Sequence, residues 1–126
     1  MNRILVVDDE IGALTLIGIM LERGGFEILK AQNAHSALSK LEEQDPPDLF
    51  ILDVMMPVIN GFNFCKLLKE QEGHADIPII LLTSRDKMDD VRIGMEVGAD
   101  AYITKPLNLE ELFRAVKLIE NKNTSV

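Results

Sequence analysis

Short runs of consecutive apolar residues mark three positions along the chain, at residues 4–7, 49–52 and 79–82. Apolar residues that follow one another without alternation are typical of a strand buried on both faces of a parallel sheet. Residues 26–31 and 101–104 are weaker strand candidates. Segments with the apolar spacing of a helix separate these runs, near residues 10–23, 34–44, 61–72, 87–97 and 109–121.

Glycine, proline and asparagine residues fall at the limits of the helical segments. Gly24-Gly25 follows the first segment and Pro46-Pro47 the second, where they predict helix ends. Asn33 and Asn108 stand where a capping side chain would open a helix. Five strand–helix units in a row predict an α/β fold, a five-stranded doubly wound parallel sheet with five helices on its two faces.

Composition and charge narrow the classes of function. The 126 residues suit one domain, which we place over residues 1–121, with a polar tail at residues 122–126. Asp and Glu number 21 against 13 Lys and Arg, and the net charge of −8 argues against direct nucleic-acid binding. The single cysteine, Cys65, excludes an internal disulfide and is typical of a reducing compartment. No apolar run reaches the roughly 18 residues of a spanning helix, so we expect a cytoplasmic protein without a membrane partner.

Polar residues follow the predicted strands at the point where each strand ends. Asp8 and Asp9 come after the first strand, Asp53 ends the third, Thr83 follows the fourth and Lys105 the fifth. In open α/β sheets, ligands bind outside the carboxyl ends of the strands. We therefore expect these five side chains to gather at one edge of the sheet, although each of them taken singly is also compatible with a turn or a helix cap.

The chemistry of these five side chains restricts the ligands that they could bind. Carboxylates that are brought together repel one another and need a cation to remain ionised. Oxygen ligands without histidine or cysteine favour Mg²⁺, for which Mn²⁺ or Ca²⁺ can substitute, over zinc. An ammonium and a hydroxyl are suited to holding a phosphoryl group, and a carboxylate can itself be the nucleophile that forms an aspartyl-phosphate.

The order of these motifs resembles the receiver domain of two-component response regulators, including the chemotaxis receivers. The resemblance extends over nearly the whole chain and is carried by Asp8-Asp9-Glu10, by Asp53 with Met56-Pro57 and Asn60-Gly61, by Thr83-Ser84, and by residues 98–106. It implies the flavodoxin-like strand order 2-1-3-4-5.

The resemblance also implies a role for each matching residue. Asp53 would be the phosphoryl acceptor. Asp8, Asp9 and Asp53 would hold Mg²⁺ together with the backbone carbonyl of Met55. Lys105 would pair with Asp53 and then with the phosphoryl oxygens.

Further residues would transmit the signal, again by resemblance. Thr83 would hydrogen-bond the phosphoryl group, and Tyr102 would move inward to fill the space that Thr83 leaves. A cis peptide bond before Pro106 would help to aim Lys105. Output would pass through the face formed by the predicted helix near residues 87–97, strand five and the last helix.

The first predicted helix is apolar on more than one face. Leu14 and Ile17 share one face, and Gly12, Leu16 and Ile19 point roughly the opposite way. We expect this second face to dock a helical phosphodonor, either a sensor histidine kinase or a histidine phosphotransfer protein.

These expectations describe a signalling domain that catalyses only its own phosphorylation and dephosphorylation and is not an enzyme acting on a substrate. Two other readings stay open. One is an aspartate-nucleophile phosphatase or phosphotransferase, although Met55 stands where such enzymes usually carry a second acid. The other is a docking module that works without phosphorylation. A nucleotide-binding module is disfavoured because no Gly-x-Gly-x-x-Gly or P-loop pattern is present.

The sequence also predicts a slow loss of the phosphoryl group. Met55 and Arg85 stand two residues after Asp53 and Thr83, at positions that tune such sites. Neither side chain offers a carboxylate or carboxamide that could orient an attacking water.

Overall fold

A computed structural model describes residues 3–56, 58–84, 96, 98–105 and 107–124. The described elements, in chain order, are β1 (Arg3–Val7), α1 (Ile11–Arg23), β2 (Glu27–Ala31), α2 (Ala34–Glu43), β3 (Leu49–Asp53), α3 (Gly61–Glu70), β4 (Ile79–Ser84), β5 (Ala101–Lys105) and α4 (Leu109–Thr124). The helix predicted near residues 87–97 lies outside the described residues, apart from Glu96, which is helical.

The helix limits follow from local capping. The side chain of Asn33 accepts a hydrogen bond from the Ser36 N–H at 2.7 Å, and that of Asn108 accepts one from the Glu111 N–H at 3.1 Å. These contacts confirm the two predicted caps. After α1, Gly25 adopts a φ of 95°, a conformation that glycine takes without a steric penalty.

The last helix runs further than the sequence suggests. The backbone of α4 continues to Thr124, three residues into the segment predicted as a polar tail. The domain boundary at residue 121 therefore stays a prediction.

The five strands form one parallel sheet in the order β2-β1-β3-β4-β5, which confirms the predicted fold. The chain leaves β1 toward one edge of the sheet and returns to the other side of β1 as β3. The carboxyl ends of β1 and β3 therefore form the switch point at which open α/β sheets bind ligands.

Two apolar clusters cover the two faces of the sheet. The α2/α3 face is built on buried residues such as Leu5, Phe50 and Leu81, against which α2 and α3 pack. The α1/α4 face is built on residues such as Ile4 and Ile51, against which α1 and α4 pack. Side chains alternate between the faces of a strand, so this division fixes the direction in which the residues at the strand ends point.

Helix α1 shows the two predicted faces. Leu14, Ile17 and Leu21 are buried against the sheet, whereas Leu16 and Ile19 remain exposed. Within the described residues, no helix combines the length and apolar character that crossing a membrane requires.

Candidate functional site

Three polar side chains continue the apolar stripe of the α1/α4 face beyond the end of the sheet. Asp8, Asp53 and Lys105 each stand two positions after a buried residue of that stripe, namely Val6, Ile51 and Ile103. Because strand side chains alternate, all three point to the same side of the carboxyl edge. Thr83 follows Leu81 and therefore belongs to the opposite, α2/α3 face.

The structure brings the predicted acceptor, ammonium and acid together. Lys105 Nζ lies 3.2 Å from Asp53 Oδ1 and 3.6 Å from Asp8 Oδ2. Asp8 has no exposed surface and Asp53 is 1% exposed. One ammonium thus faces two buried carboxylates, which leaves an excess of negative charge when both are ionised.

Backbone amides hold one oxygen of each buried carboxylate. The Glu10 N–H donates to Asp8 Oδ1 at 2.9 Å, and the Met55 N–H donates to Asp53 Oδ1 at 3.2 Å. Both amides belong to the turn that directly follows the acid, a local arrangement common for aspartate. The carboxylates are therefore oriented by their own loops.

Two buried oxygens at the site have no hydrogen-bond partner among the described residues. They are Asp8 Oδ2, which has only the longer ion pair with Lys105, and Thr83 Oγ1. A buried polar atom without a hydrogen bond costs about 1–3 kcal/mol, and such atoms in native proteins call for an explanation. A bound cation and a bound phosphoryl group would supply the missing contacts.

The pKa shifts at the site agree with a site that binds a cation. Burial and the neighbouring Asp8 carboxylate raise the pKa of Asp53 from 3.8 to about 6, although Lys105 and the Met55 N–H act in the opposite direction. Burial lowers the pKa of Lys105, but the carboxylates of Asp53 and Asp8 outweigh burial and raise it overall. A divalent cation beside Asp53 would reverse the shift of its pKa, because the cation favours the ionised carboxylate.

The donor set fits a hard divalent cation. Asp8, Asp9 and Asp53 each offer a carboxylate oxygen, and these three atoms lie within 4.8 Å of one another. Asp9 is exposed, so water can complete the coordination. Met55 lies in the adjacent loop with an exposed side chain, and the ligand role of its carbonyl stays a prediction.

The predicted switch pair lies on one face of the sheet. Leu81 pairs with Tyr102 and Thr83 pairs with Thr104 in the β4–β5 register. Tyr102 is therefore one step back from Thr83 on the same face, where it packs, half-buried, against the α2/α3 cluster. Pro106, with its predicted cis peptide bond, and Arg85 lie outside the described residues.

The predicted docking residues lie on an open surface. Gly12 is exposed, Leu16 is 57% exposed and Ile19 is 44% exposed. Leu16 and Ile19 also line an apolar groove of about 510 Å³ between α1 and α4, to which α4 contributes Leu109 and Phe113. The contribution of α4 to this groove was not predicted, because no local pattern in the sequence tells which helices become neighbours.

Two features of the loop after β3 also escaped the sequence analysis. Gly61 lies so close to the main chain of Asp53 that a Cβ there would be 2.4 Å from the Asp53 carbonyl oxygen. Val58 has a φ of 68°, a left-handed conformation that is a genuine outlier for a β-branched residue. In the sequence, the Asn60-Gly61 pair marks only the start of a helix and does not indicate the contact of Gly61 with the Asp53 main chain.

Comparison with known protein families gives one extensive match. The family described as response regulator receiver domain matches residues 4–117. The alkaline phosphatase synthesis transcriptional regulatory protein PhoP of Bacillus subtilis is 43% identical over 118 residues, which cover 94% of this chain and 48% of that protein. The phosphate regulon transcriptional regulatory protein PhoB of Escherichia coli is 41% identical over 94% of this chain and 51% of its own. The chain thus spans about half the length of these relatives.

Solved structures show the same similarity. The receiver domain of a signal transduction histidine kinase from Syntrophus aciditrophicus has a TM-score of 0.90 at 33% identity, covering 100% of this chain and 95% of its own. The chemotaxis response regulator CheY4 of Vibrio cholerae has a TM-score of 0.86 at 32% identity, covering 94% and 98%. By their descriptions, these relatives are two transcriptional regulators, a receiver domain of a histidine kinase and a chemotaxis response regulator. The similarity therefore identifies the kind of domain and leaves the output open.

Proposed function

The chain belongs to the response regulator receiver domain family of two-component systems, and on that premise we propose that Asp53 accepts a phosphoryl group in a Mg²⁺-dependent reaction. A receiver domain implies a partner histidine kinase and an output effector. The proposal is supported above all by the 3.2 Å contact of Lys105 Nζ with Asp53 Oδ1 beside two further acids. Asp8, Asp9, Asp53 and the Met55 carbonyl would hold the Mg²⁺, for which Mn²⁺ or Ca²⁺ can substitute.

The proposed reaction is an in-line phosphoryl transfer. A carboxylate oxygen of Asp53 forms a bond to phosphorus while the bond from phosphorus to the donor's histidine nitrogen breaks, and that nitrogen leaves with its electron pair. Lys105 holds the carboxylate first and the equatorial phosphoryl oxygens afterwards. A Mg²⁺ ion held by Asp8, Asp9 and Asp53 would neutralise charge on the same oxygens. The domain therefore catalyses only its own modification.

The switch that we propose uses the α2/α3 face of the sheet. Thr83 Oγ1 has no partner among the described residues and would donate its hydrogen to a phosphoryl oxygen. Tyr102, one register step away, would fill the space that Thr83 leaves. Phosphorylation then shifts a population between two conformations, because the new contacts favour one of them. Output would pass through the face that includes β5 and α4, and not through direct nucleic-acid binding.

Alternative functions have less support. An aspartate-nucleophile phosphatase would place a second acid at Met55, whose side chain is exposed and carries no charge. A docking module that works without phosphorylation would have no need for two carboxylates buried beside one ammonium, an arrangement that is costly without a ligand.

The direct test is an intact-mass measurement. The protein is incubated with Mg²⁺ and acetyl phosphate, and we expect a mass gain of one phosphoryl group. The gain should disappear in Asp53→Asn, which keeps the shape of the side chain, and in the parent protein when a chelator removes Mg²⁺. A parent protein that gains no phosphoryl group, or a gain that persists in Asp53→Asn, would overturn the proposal.

We also propose that the exposed face of α1 docks the phosphodonor, a helical histidine kinase or histidine phosphotransfer protein. Gly12, Leu16 and Ile19 lie on the helix that begins just after Asp8 and Asp9, so a donor that reaches Asp53 passes over them. The groove between α1 and α4 continues this apolar surface. A helix that lays an apolar face into such a groove is a common mode of recognition.

Leu16→Asp tests this surface. We expect transfer from the protein donor to slow by about tenfold or more, since a charge replaces a central apolar contact. Phosphorylation by acetyl phosphate should not change. Leu118→Asp, an exposed leucine on α4 that does not line the groove, is the matched control. Equal losses with both donors, or equal losses in both variants, would reject the docking surface.

A further inference from the structure

The first residue of α3 approaches the main chain of the acceptor closely. A Cβ built on Gly61 would lie 2.4 Å from the carbonyl oxygen of Asp53, 2.9 Å from its carbonyl carbon and 2.8 Å from Val54 Cα. All three atoms belong to the backbone, so no flexible side chain can move aside. The φ of Gly61 lies outside the positive region, and glycine is therefore required here by space and not by backbone conformation.

Both sides of this contact are held by the fold. On the strand side, the Val54 N–H donates to Leu82 O at 3.0 Å, and Asp53 pairs with Leu82 inside the sheet. On the helix side, the Gly61 N–H donates to Val54 O at 3.0 Å. Four further residues anchor α3 in the core, namely Phe62, Phe64, Cys65 and Leu68. Any side chain at position 61 must therefore displace the Asp53–Val54 peptide or lift the start of α3.

The displaced peptide is the one that carries the acceptor. The carboxylate of Asp53 is reached by Lys105 Nζ and by the Met55 N–H, both at 3.2 Å from Oδ1. We propose that Gly61 is a positioning residue, whose close approach to the Asp53 main chain sets the direction in which the acceptor carboxylate points. This inference rests on the proposed function of Asp53 and assigns part of that function to a residue that touches neither metal nor phosphoryl group.

Gly61→Ala tests the assignment. A shift of about 1 Å in a reacting group can cost about 10²-fold in rate, so we expect phosphorylation by acetyl phosphate at saturating Mg²⁺ to slow by about 10- to 100-fold. The amide resonance of Met55, which reports on its hydrogen bond to Asp53, should shift in the nuclear magnetic resonance spectrum. The amide of Glu10, bonded to Asp8, should keep its position.

Two control variants separate positioning from a general loss of stability. Gly18→Ala adds the same methyl group to another buried helical glycine, where it meets the ends of two side chains, Lys30 with Cε at 2.6 Å and Glu22 with Oε1 at 3.7 Å. Both ends can move, so the rate should stay within about twofold of the parent. Leu68→Ala loosens α3 in the core without touching the Asp53 main chain, and the fraction that is folded should react at the parent rate.

Every outcome decides the question. A parent-like rate or an unshifted Met55 amide in Gly61→Ala would overturn the positioning role, as would an equal loss of rate in folded Leu68→Ala. If Gly61→Ala is unfolded by circular dichroism, trimethylamine N-oxide is added to favour the compact state, and the rate is measured there. Failure to fold even then, while both controls fold, would reduce Gly61 to a folding requirement and overturn the proposal. A parent protein that is not phosphorylated would instead refute the role of Asp53, and the Met55 amide would still report on the geometry.

Discussion

The body of the sheet and two acids at its carboxyl edge are equally buried but opposite in chemistry. In the body, Val6 and Ile51 have no exposed surface and pack against α1 and α4. Two residues further along the chain, Asp8 and Asp53 are just as inaccessible and carry carboxylates. Burial of an aliphatic side chain contributes about 1.5–3 kcal/mol to stability, whereas burial of a charge that is not fully paired is unfavourable.

The contrast teaches where stability and function lie in this fold. The body supplies the stability that allows the edge to hold a partly unsatisfied set of groups. At the edge, the pKa of Asp53 is raised, and Asp8 Oδ2 and Thr83 Oγ1 have no hydrogen-bond partner among the described residues. A fold that violates local rules at one edge and obeys them elsewhere is the expected form of a functional site.

The largest effect should come from two substitutions two residues apart on β3. We expect Ile51→Ala to lower the free energy of unfolding by about 2–5 kcal/mol, because it opens a cavity in the core. In the absence of metal at neutral pH, Asp53→Asn should raise it, because it removes a buried charge beside Asp8. Urea denaturation in the presence of a chelator measures both. A lower free energy of unfolding in Asp53→Asn would contradict the claim that the carboxylate at the edge is unfavourable for stability.

The pH dependence of stability sharpens the comparison. The pKa of Asp53 in the folded state, about 6, lies above the ordinary aspartate pKa of 3.8. The folded state binds the proton more tightly than the unfolded state, so stability falls as the pH rises through these two values, from about 4 to about 6, by at most roughly 3 kcal/mol.

The measurement compares denaturation of the parent protein and Asp53→Asn across this pH range in a chelator. Their difference reports on Asp53 together with its interaction with Asp8. Added Mg²⁺ should reverse the pH dependence of this difference, because the cation favours the ionised carboxylate. A parent protein whose metal-free stability rises relative to Asp53→Asn over the same range would show that the sign is wrong.

A smaller effect concerns the lifetime of the phosphorylated form. We expect Met55→Asn to speed dephosphorylation about three- to tenfold, because a carboxamide at this exposed position can orient the attacking water. Loss of the phosphoryl group is followed by intact mass after removal of acetyl phosphate. Met55→Leu, which keeps an apolar side chain, should decay at the parent rate, and an unchanged or slower decay of Met55→Asn would refute the idea.

The smallest effect is expected in the loop beside the edge. Val58 is fully exposed and holds a left-handed conformation, which costs a β-branched residue about 1–2 kcal/mol. Val58→Asn should raise the free energy of unfolding by about 1 kcal/mol in thermal or urea denaturation. Val58→Ala removes the β-branch but has no polar side chain that could hydrogen-bond the local backbone, so it should gain less. Equal stabilities of the three proteins would mean that the loop carries no strain.

The same contrast explains what the sequence could predict. Continuous apolar runs such as residues 49–52 identify buried strands, and the residue that ends such a run must lie at the sheet edge. Asp53 could therefore be placed at that edge from the apolar run that precedes it. The helix caps at Asn33 and Asn108 could also be predicted from the sequence, because a cap involves residues only three apart.

Other features could not be predicted, because they depend on distances between separate elements. The close approach of Gly61 to the Asp53 main chain, which leaves no room for a Cβ, arises from the way α3 packs against β3. The groove between α1 and α4 and the raised pKa of Asp53 likewise appear only when distant segments meet. The conformation of Val58 went unpredicted for a different reason: valine is among the least suitable residues for it.

The most direct test of the central claim is to locate the phosphoryl group within the chain. After reaction with acetyl phosphate and Mg²⁺, borohydride reduces an aspartyl-phosphate to homoserine, and tandem mass spectrometry identifies the position. We predict homoserine at position 53, with Asp8 and Asp9 unmodified. Homoserine at either of those two positions, or none in a protein that has gained a phosphoryl group, would contradict the assignment of Asp53 as the acceptor.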